Sequence, residues 1–298
     1  MEESVTAKTL LSWRLAMLNE GGEASALDWL LDLKGGVRWQ QLQALRLYPE
    51  STLTLEHGLE TLEELWRRHL RQQIPLQYLV GLCPWRDLEL KVAPGVLIPR
   101  QETELLVDLA VGCLSGEERQ SDLHWADLGT GSGCIAIGLA KALPGSQGVA
   151  VDRSSEALTQ AKANAEALLG RGALAFAQGD WWEAIPDRWG KLDLVVSNPP
   201  YIPAAIWADL EPVVRDHEPE LALNGGGDGL DAIRAIAGGA CAALKPGGWL
   251  VLEHHYDQSN AVLELLDRAG LVNGRAHTDL ESVQRFAMAQ RPKKTEKN

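Results

Sequence analysis

Hydrophobic positions change their period twice along the chain. To about residue 73 they recur at helical spacing. Leu10, Leu11, Trp13, Leu15, Ala16 and Leu18 form one set closed by Gly21-Gly22, and Ala24 to Leu33 forms a second that ends at Gly35-Gly36. A third runs over about 55–73 with Leu59, Leu62, Leu65, Trp66 and Leu70 on one side. This pattern predicts a small helical bundle over residues 1–74. Across Gln77 to Gly81 and Trp85 to Val92 the pattern turns to alternation. Ala93-Pro94-Gly95 then supplies a turn before Val96-Leu97-Ile98, so a linking β-hairpin is expected over 75–100. Arg100, Glu102 and Glu104 open a helix with Leu105, Leu106, Leu109 and Val111 as its apolar face. Acidic residues in a first turn suit the helix dipole, whereas Arg100 stands where a site could use it.

From about residue 122 the order becomes strand, helix, strand, helix, which predicts an α/β domain over 101–298 built on a mostly parallel sheet. His124 to Leu128 reads as a strand, Gly129-Thr130-Gly131-Ser132-Gly133 as a glycine-rich turn and Cys134 to Leu143 as a helix. Glycines there let the backbone approach a ligand, and the helix start offers free N–H groups. No Gly-Lys-Ser/Thr follows, so the turn is not a phosphate-binding P-loop. Gly148 to Asp152 is a second strand that ends in an acid able to accept from both hydroxyls of a ribose. Together these predict a nucleoside-containing cofactor. A third strand, Ala173 to Ala177, leads to Gln178-Gly179-Asp180-Trp181-Trp182. An acid and an aromatic ring at a strand end suit an adenine, one taking the exocyclic amine and the other covering the face.

The fourth strand, Leu192 to Ser197, is apolar and β-branched, as a strand buried on both faces should be. It ends at Asn198-Pro199-Pro200-Tyr201. The prolines stop the ladder and push Asn198 out of the helical region. Such a turn can grip a planar amino nitrogen, because the Asn198 side-chain oxygen and the Pro199 carbonyl can each accept one of its two N–H groups. Tyr201 could pack on the flat group and align it with an incoming methyl.

Downstream, Glu218 to Gly229 reads as a flexible loop before a helix from Leu230 to Leu244. Lys245-Pro246-Gly247-Gly248 turns into the strand Trp249 to Glu253. His254 and His255 follow; neighbours in extended chain point to opposite faces, so one metal would not take both. They read as non-catalytic. A helix from Ser259 to Ala269 and a last strand pair, about 271–277 and 283–289, complete the sheet.

Composition narrows the function classes. The 298 residues are 45% hydrophobic and 23% charged, near the globular average. No apolar stretch approaches the roughly 18 residues of a membrane span, and the acidic N-terminus is unlike a signal peptide. Four scattered cysteines without a CxxC pair suit reduced thiols in the cytoplasm and no metal site. A net charge of −13 and the lack of a basic stripe, beyond the tail Arg291 to Lys297 read as a frayed end, count against nucleic acid as partner. A cationic cofactor meets no electrostatic objection.

The set Asp127 to Gly133, Asp152, Asp180-Trp181 and Asn198-Pro199-Pro200-Tyr201 resembles a class I S-adenosylmethionine-dependent methyltransferase that modifies an amino group. Pro75-Leu76-Gln77-Tyr78, Leu97 to Glu104 and Glu218-Pro219 to Leu223 narrow it, with the helical N-terminal region, to the peptide chain release factor glutamine methyltransferase family. The match spans essentially the whole chain; His255, where a glycine is expected, and the weakly basic Ser282 to Arg285 depart from it. The resemblance implies a Rossmann-like sheet with an antiparallel last strand. It also implies methyl transfer from S-adenosyl-L-methionine to the side-chain nitrogen of the glutamine in the Gly-Gly-Gln loop of class-I release factors. It assigns Gly129, Thr130, Gly131, Ser132 and Gly133 to the methionine part, Asp152 to the ribose, and Asp180 and Trp181 to the adenine region. Asn198, Pro199, Pro200 and Tyr201 fall to the glutamine amide, with Asn198 beside the cofactor as well. The N-terminal helices would help dock the protein substrate. A monomer is expected. The runner-up is a DNA adenine-N6 methyltransferase, because the same turn grips any planar amine; a cofactor-binding adaptor without turnover sits poorly with an intact Asn198 turn.

Overall fold

The computed structural model describes residues 2–114 and 122–293, so the tail from 294 on lies outside the described residues. The chain divides into two compact units, Met1–Leu82 with Pro212–His217 and Cys83–Glu211 with Glu218–Asn298. In the first, β1 (Glu3–Thr6) is followed by α1 (Ala7–Glu20), α2 (Ala24–Leu33), α3 (Trp39–Leu45), β2 (Thr52–Leu55), α4 (Leu59–Gln72) and α5 (Leu76–Val80). Thr6 caps α1 by accepting from the Thr9 N–H, and Leu10, Leu27, Leu30, Leu31, Leu62 and Trp66 are fully buried in its core. A Cβ on Gly22 would lie 2.5 Å from the Trp66 ring, so only glycine lets the chain leave α1 at that point.

Two expectations for this region need correction. It is not purely helical, because β1 and β2 pair antiparallel, Glu3 opposite Leu55 and Thr6 opposite Thr52. Gln77 to Gly81, read as extended, belongs to helix α5 instead. Five residues cannot separate a period of 2 from one of 3.6, and Gly81 closes the turn in the left-handed region at φ 80°.

The second unit opens with a hairpin of β3 (Leu82–Trp85) and β4 (Leu88–Lys91), followed by α6 (Glu104–Cys113). Next come β5 (His124–Leu128), α7 (Cys134–Ala142), β6 (Gln147–Asp152), α8 (Ser155–Leu169), β7 (Ala175–Gln178) and β8 (Leu192–Ser197). After α9 (Pro212–Arg215), which belongs with the first unit, stand α10 (Glu220–Leu223), α11 (Asp231–Ala243), β9 (Leu244–Glu253), α12 (Ser259–Arg268), β10 (Val272–Thr278) and β11 (Gln284–Gln290). The seven-stranded sheet runs β10-β11-β9-β8-β5-β6-β7. β7, β6, β5, β8 and β9 are parallel, and β11 enters antiparallel to both β9 and β10. The Rossmann-like sheet with an antiparallel last strand is therefore observed.

Both faces of the sheet are covered. Leu194, Val196 and Val251 pack under α6, α7 and the hairpin, while Val195, Leu250 and Leu252 pack under α11 and α12. The buried side of α6 is Leu106, Val107 and Ala110 rather than the expected set, and Leu105, Leu109 and Val111 are only partly buried. Packing decides this: Gly138 of α7 lets Val107 approach to 3.2 Å of where a Cβ would stand. The Glu218 to Gly229 segment is not a free loop. It contains α10, and its Asn224 bridges Ile202 in parallel register. Lys245 to Gly248 lies within β9, which is longer than expected. Among the described residues no helix is long and apolar enough to cross a membrane.

Candidate active site

β5 sits at the switch point of the sheet, with the chain running outward through β6 and β7 on one side and through β8 and β9 on the other. Ligands of open α/β sheets bind at the carboxyl ends of the strands beside such a point. A cavity of about 650 Å³ opens there, within the usual range for small-molecule sites. Gly129, Gly131, Asp152, Asp180, Trp181, Asn198 and Pro200 all line it.

The glycine turn has this shape because Gly129 (φ 76°), Gly131 (φ 56°) and Gly133 (φ 86°) are all left-handed. Their tasks differ. A Cβ on Gly131 would meet open space, so this residue keeps the backbone bare toward the cavity, whereas one on Gly133 would press against Ala161 of α8 at 3.1 Å. Thr130 and Ser132 are buried and turn away from the cavity. The Thr130 hydroxyl donates to Asp127 at 2.6 Å, and the Ser132 carbonyl accepts from Asn164 at 2.9 Å. Asn164 also exchanges two 3.0 Å hydrogen bonds with Lys91 at the end of β4, so one side chain ties hairpin, turn and helix together. Asp127 is fully buried, and burial pushes its carboxyl up to about 7.

Asp152 accepts from the Gly131 N–H through one oxygen and from the Ser154 N–H through the other, both at 2.9 Å. Burial raises its carboxyl above the ordinary range and these N–H donors oppose the rise. Each oxygen keeps a second lone pair for a ribose hydroxyl. Trp181 holds φ at 45°, a strained value for a bulky residue, and its ring lies 3.4 Å from where a Cβ on Gly129 would stand. Asp180 is exposed, 3.5 Å from Arg153. Two carboxylates, an aromatic face and bare left-handed backbone fit a nucleoside carrying a cationic centre, which is what S-adenosyl-L-methionine is. S-adenosyl-L-methionine is the cofactor of this domain.

Beyond β8, Pro199 is buried and Asn198 is half-buried, with its Nδ2 donating to Thr103 Oγ1 at 3.1 Å. That bond leaves the Asn198 oxygen uncommitted. Tyr201 does not line the cavity. Its hydroxyl donates to Glu253 at 3.3 Å, and its carbonyl accepts from Gln258 at 3.0 Å. Burial drives the Tyr201 hydroxyl well above its ordinary pKa, and pushes the fully buried Glu253 carboxyl up to about 7. The Ile202 N–H donates to the Leu223 carbonyl and the Gly225 N–H to the Ile202 carbonyl, both at 2.9 Å, so the chain leaving the turn is fixed.

Arg100 donates to Glu218 at 2.7 Å, and the other Glu218 oxygen accepts from the Ile98 N–H at 3.2 Å. This buried carboxylate fastens two cavity walls, Gly95 to Leu97 and Pro219 to Ala222. Of the histidines, His254 is buried and bonded to Ser259, while His255 pairs with Asp257 at 2.6 Å with its ring 6.2 Å from that of Tyr201. The residues read from the sequence thus divide between cavity lining and support. Thr103, Glu218 and Glu253 were not singled out, because their partners stand up to about 150 positions away in the chain. The stretches 97–104 and 218–223, noticed through resemblance, contain Thr103 and Glu218, whereas Glu253 entered only as the end of a strand.

The family model described as "Methyltransferase domain" matches residues 119–292. "Release factor glutamine methyltransferase" of Prochlorococcus marinus is 48% identical over 291 residues, covering 98% of this chain and 99% of that protein. The protein of the same description from Synechocystis sp. is 39% identical, with 93% of each chain covered. That from Gloeobacter violaceus is 44% identical over 86% of this chain and 87% of its own. On identities of this size across nearly the full length, the chain belongs to the release factor glutamine methyltransferase family.

Proposed function

We propose that this protein transfers the methyl group of S-adenosyl-L-methionine to the side-chain nitrogen (N5) of the glutamine in the Gly-Gly-Gln motif of class-I peptide chain release factors. The observation that carries the reading is the rigid Asn198-Pro199 exit of β8 beside the cofactor cavity, with the Asn198 nitrogen already engaged and its oxygen available. The cofactor supplies an electrophilic methyl on sulfur. The chain's own part is positional. Gly129 and Gly131 would hold the methionine portion, Asp152 the ribose hydroxyls, and Trp181 with Asp180 the adenine. Asn198 Oδ1 and the Pro199 carbonyl accept the two N–H groups of the glutamine amide and favour charge on its nitrogen as the new bond forms. Tyr201, braced by Glu253, walls the acceptor side.

We read the enzyme as a cytoplasmic monomer that acts on protein rather than nucleic acid, with the first unit docking the release factor. The net charge of −13 supports this preference, since a nucleic-acid enzyme must neutralise phosphates. The test is transfer from radiolabelled cofactor. Label should enter intact release factor and be absent from its Gln→Ala variant, and deletion of residues 1–73 should raise KM for intact release factor at least fivefold more than for a short glutamine peptide. Label on duplex DNA instead, or an equal loss on both acceptors, would overturn the substrate and the docking role respectively.

A further inference from the structure

The Tyr201 ring is the first of a row. The His255 ring lies 6.2 Å from it at a tilt of 44°, and the Tyr256 ring follows 4.3 Å beyond His255, again at 44°. Exposure grows along the row. Tyr201 and His255 are half-buried, whereas Tyr256 is 59% exposed. Flat faces therefore lead from the Asn198 turn out to solvent.

A single exposed aromatic residue is ordinary. This row differs in being held from below. Gln258, 6% exposed, donates through Nε2 to the Tyr201 carbonyl and accepts the His255 N–H on Oε1, both at 3.0 Å. One buried amide thus fixes the backbone of His255 against that of Tyr201. Asp257 holds the imidazole at Nδ1, 2.6 Å away, and the His254 N–H is tied to the Arg285 carbonyl at 2.8 Å. Rings whose ordering is already met in the free protein lose little freedom when a ligand covers them.

The acceptor loop has matching chemistry. In Gly-Gly-Gln the two residues before the reacting glutamine carry no side chain, so their peptide planes are bare and suit ring faces through N–H···π and Cα–H contacts. The 4.3 Å step from His255 to Tyr256 is close to the ~3.3–3.6 Å that an extended chain advances per residue, about one ring per glycine. We infer that His255 and Tyr256 form a ledge that receives the Gly-Gly backbone of the release factor loop while the glutamine side chain reaches the Asn198 turn. The inference rests on the reading of Asn198 to Tyr201 as the acceptor grip. A Cβ at either glycine would lift the backbone off the rings, so the ledge acts on capture of the acceptor and on the preference for glycine, and takes no part at the methyl group. His255 stands where a glycine is expected, so this half of the ledge is particular to this chain.

Binding is read apart from turnover by titrating short Gly-Gly-Gln and Ala-Ala-Gln peptides, to millimolar concentration, into the full-length enzyme loaded with S-adenosyl-L-homocysteine and following the peptide by NMR. The parent should bind the glycine peptide about tenfold more tightly than the alanine one. Tyr256→Ala and His255→Ala should each weaken the glycine peptide about fivefold and leave the alanine peptide within twofold. Tyr256→Phe keeps the ring and should stay within twofold of the parent, and Kd for S-adenosyl-L-methionine should stay within twofold in all three variants. Equal binding of the two peptides by the parent, no binding of either, or parental affinity in Tyr256→Ala would overturn the inference. So would a loss that is the same for both peptides, the mark of a structural effect. Transfer of label to the same peptides separates this from the functional reading. Tyr256-dependent binding without transfer removes the methylation reading and leaves the ledge, whereas transfer with unchanged affinity in Tyr256→Ala removes the ledge alone.

Discussion

Asn198 has two faces with different tasks. Its nitrogen is anchored to Thr103, and its oxygen is left for a ligand. Removing the side chain should therefore cost the reaction far more than the cofactor. Asn198→Ala is expected to abolish turnover in the radiolabel assay while Kd for S-adenosyl-L-methionine stays within about tenfold, roughly 1.4 kcal/mol. Loss of both together would make Asn198 a cofactor ligand first. Tyr201 shows why a residue's place in a motif does not give its orientation. Read along the chain, it belongs to the acceptor grip, but the sequence does not show the bracing that the fold adds, its hydroxyl donating to Glu253 and its carbonyl accepting from Gln258.

At the scale of elements, the β5–α7 turn has the sharpest requirement. Gly131 keeps φ at 56° with open space where a Cβ would stand, so alanine fits sterically but strains the backbone by about 1–2 kcal/mol. Gly131→Ala should weaken cofactor binding at least fivefold by calorimetry, with the fold retained by circular dichroism. This turn was legible in the sequence because three left-handed positions close together select glycine at each, and the Asn198 turn because two prolines fix their own dihedrals. The strands β5, β6 and β8 were legible because burial on both faces writes a continuous apolar run. The short pieces were not. β1, β2 and α5 span four or five residues each, too few for a period, and they owe their form to the neighbours they pack on. Thr103, Glu218 and Glu253 were illegible for a different reason. Each is an ordinary polar letter whose role is made by a partner at long range.

Over the whole molecule, two fully buried carboxyls, Asp127 and Glu253, are pushed up to about 7 by desolvation. The folded chain holds protons that the unfolded chain releases near pH 4–4.5. Each group therefore favours folding below its unfolded pKa, and that support is lost as pH rises toward 7. His254, lowered by burial, acts in the opposite sense, so the difference between variants is the cleaner measure. Glu253→Gln carries no charge to bury. Its melting temperature relative to the parent should rise from pH 5 to about pH 7 and level off above it in calorimetric scans, and a pH-independent difference would mean that Glu253 is ionised throughout.

The acceptor pair proposed for Asn198 Oδ1 and the Pro199 carbonyl would have a further consequence for stoichiometry. An unmodified carboxamide brings two hydrogens and satisfies both acceptors; its N-methyl derivative brings one and must leave the other oxygen dry and idle, at about 1–3 kcal/mol. Such a pair would favour departure of the modified chain and disfavour a second alkylation, so the two oxygens proposed to recognise the substrate would also count to one.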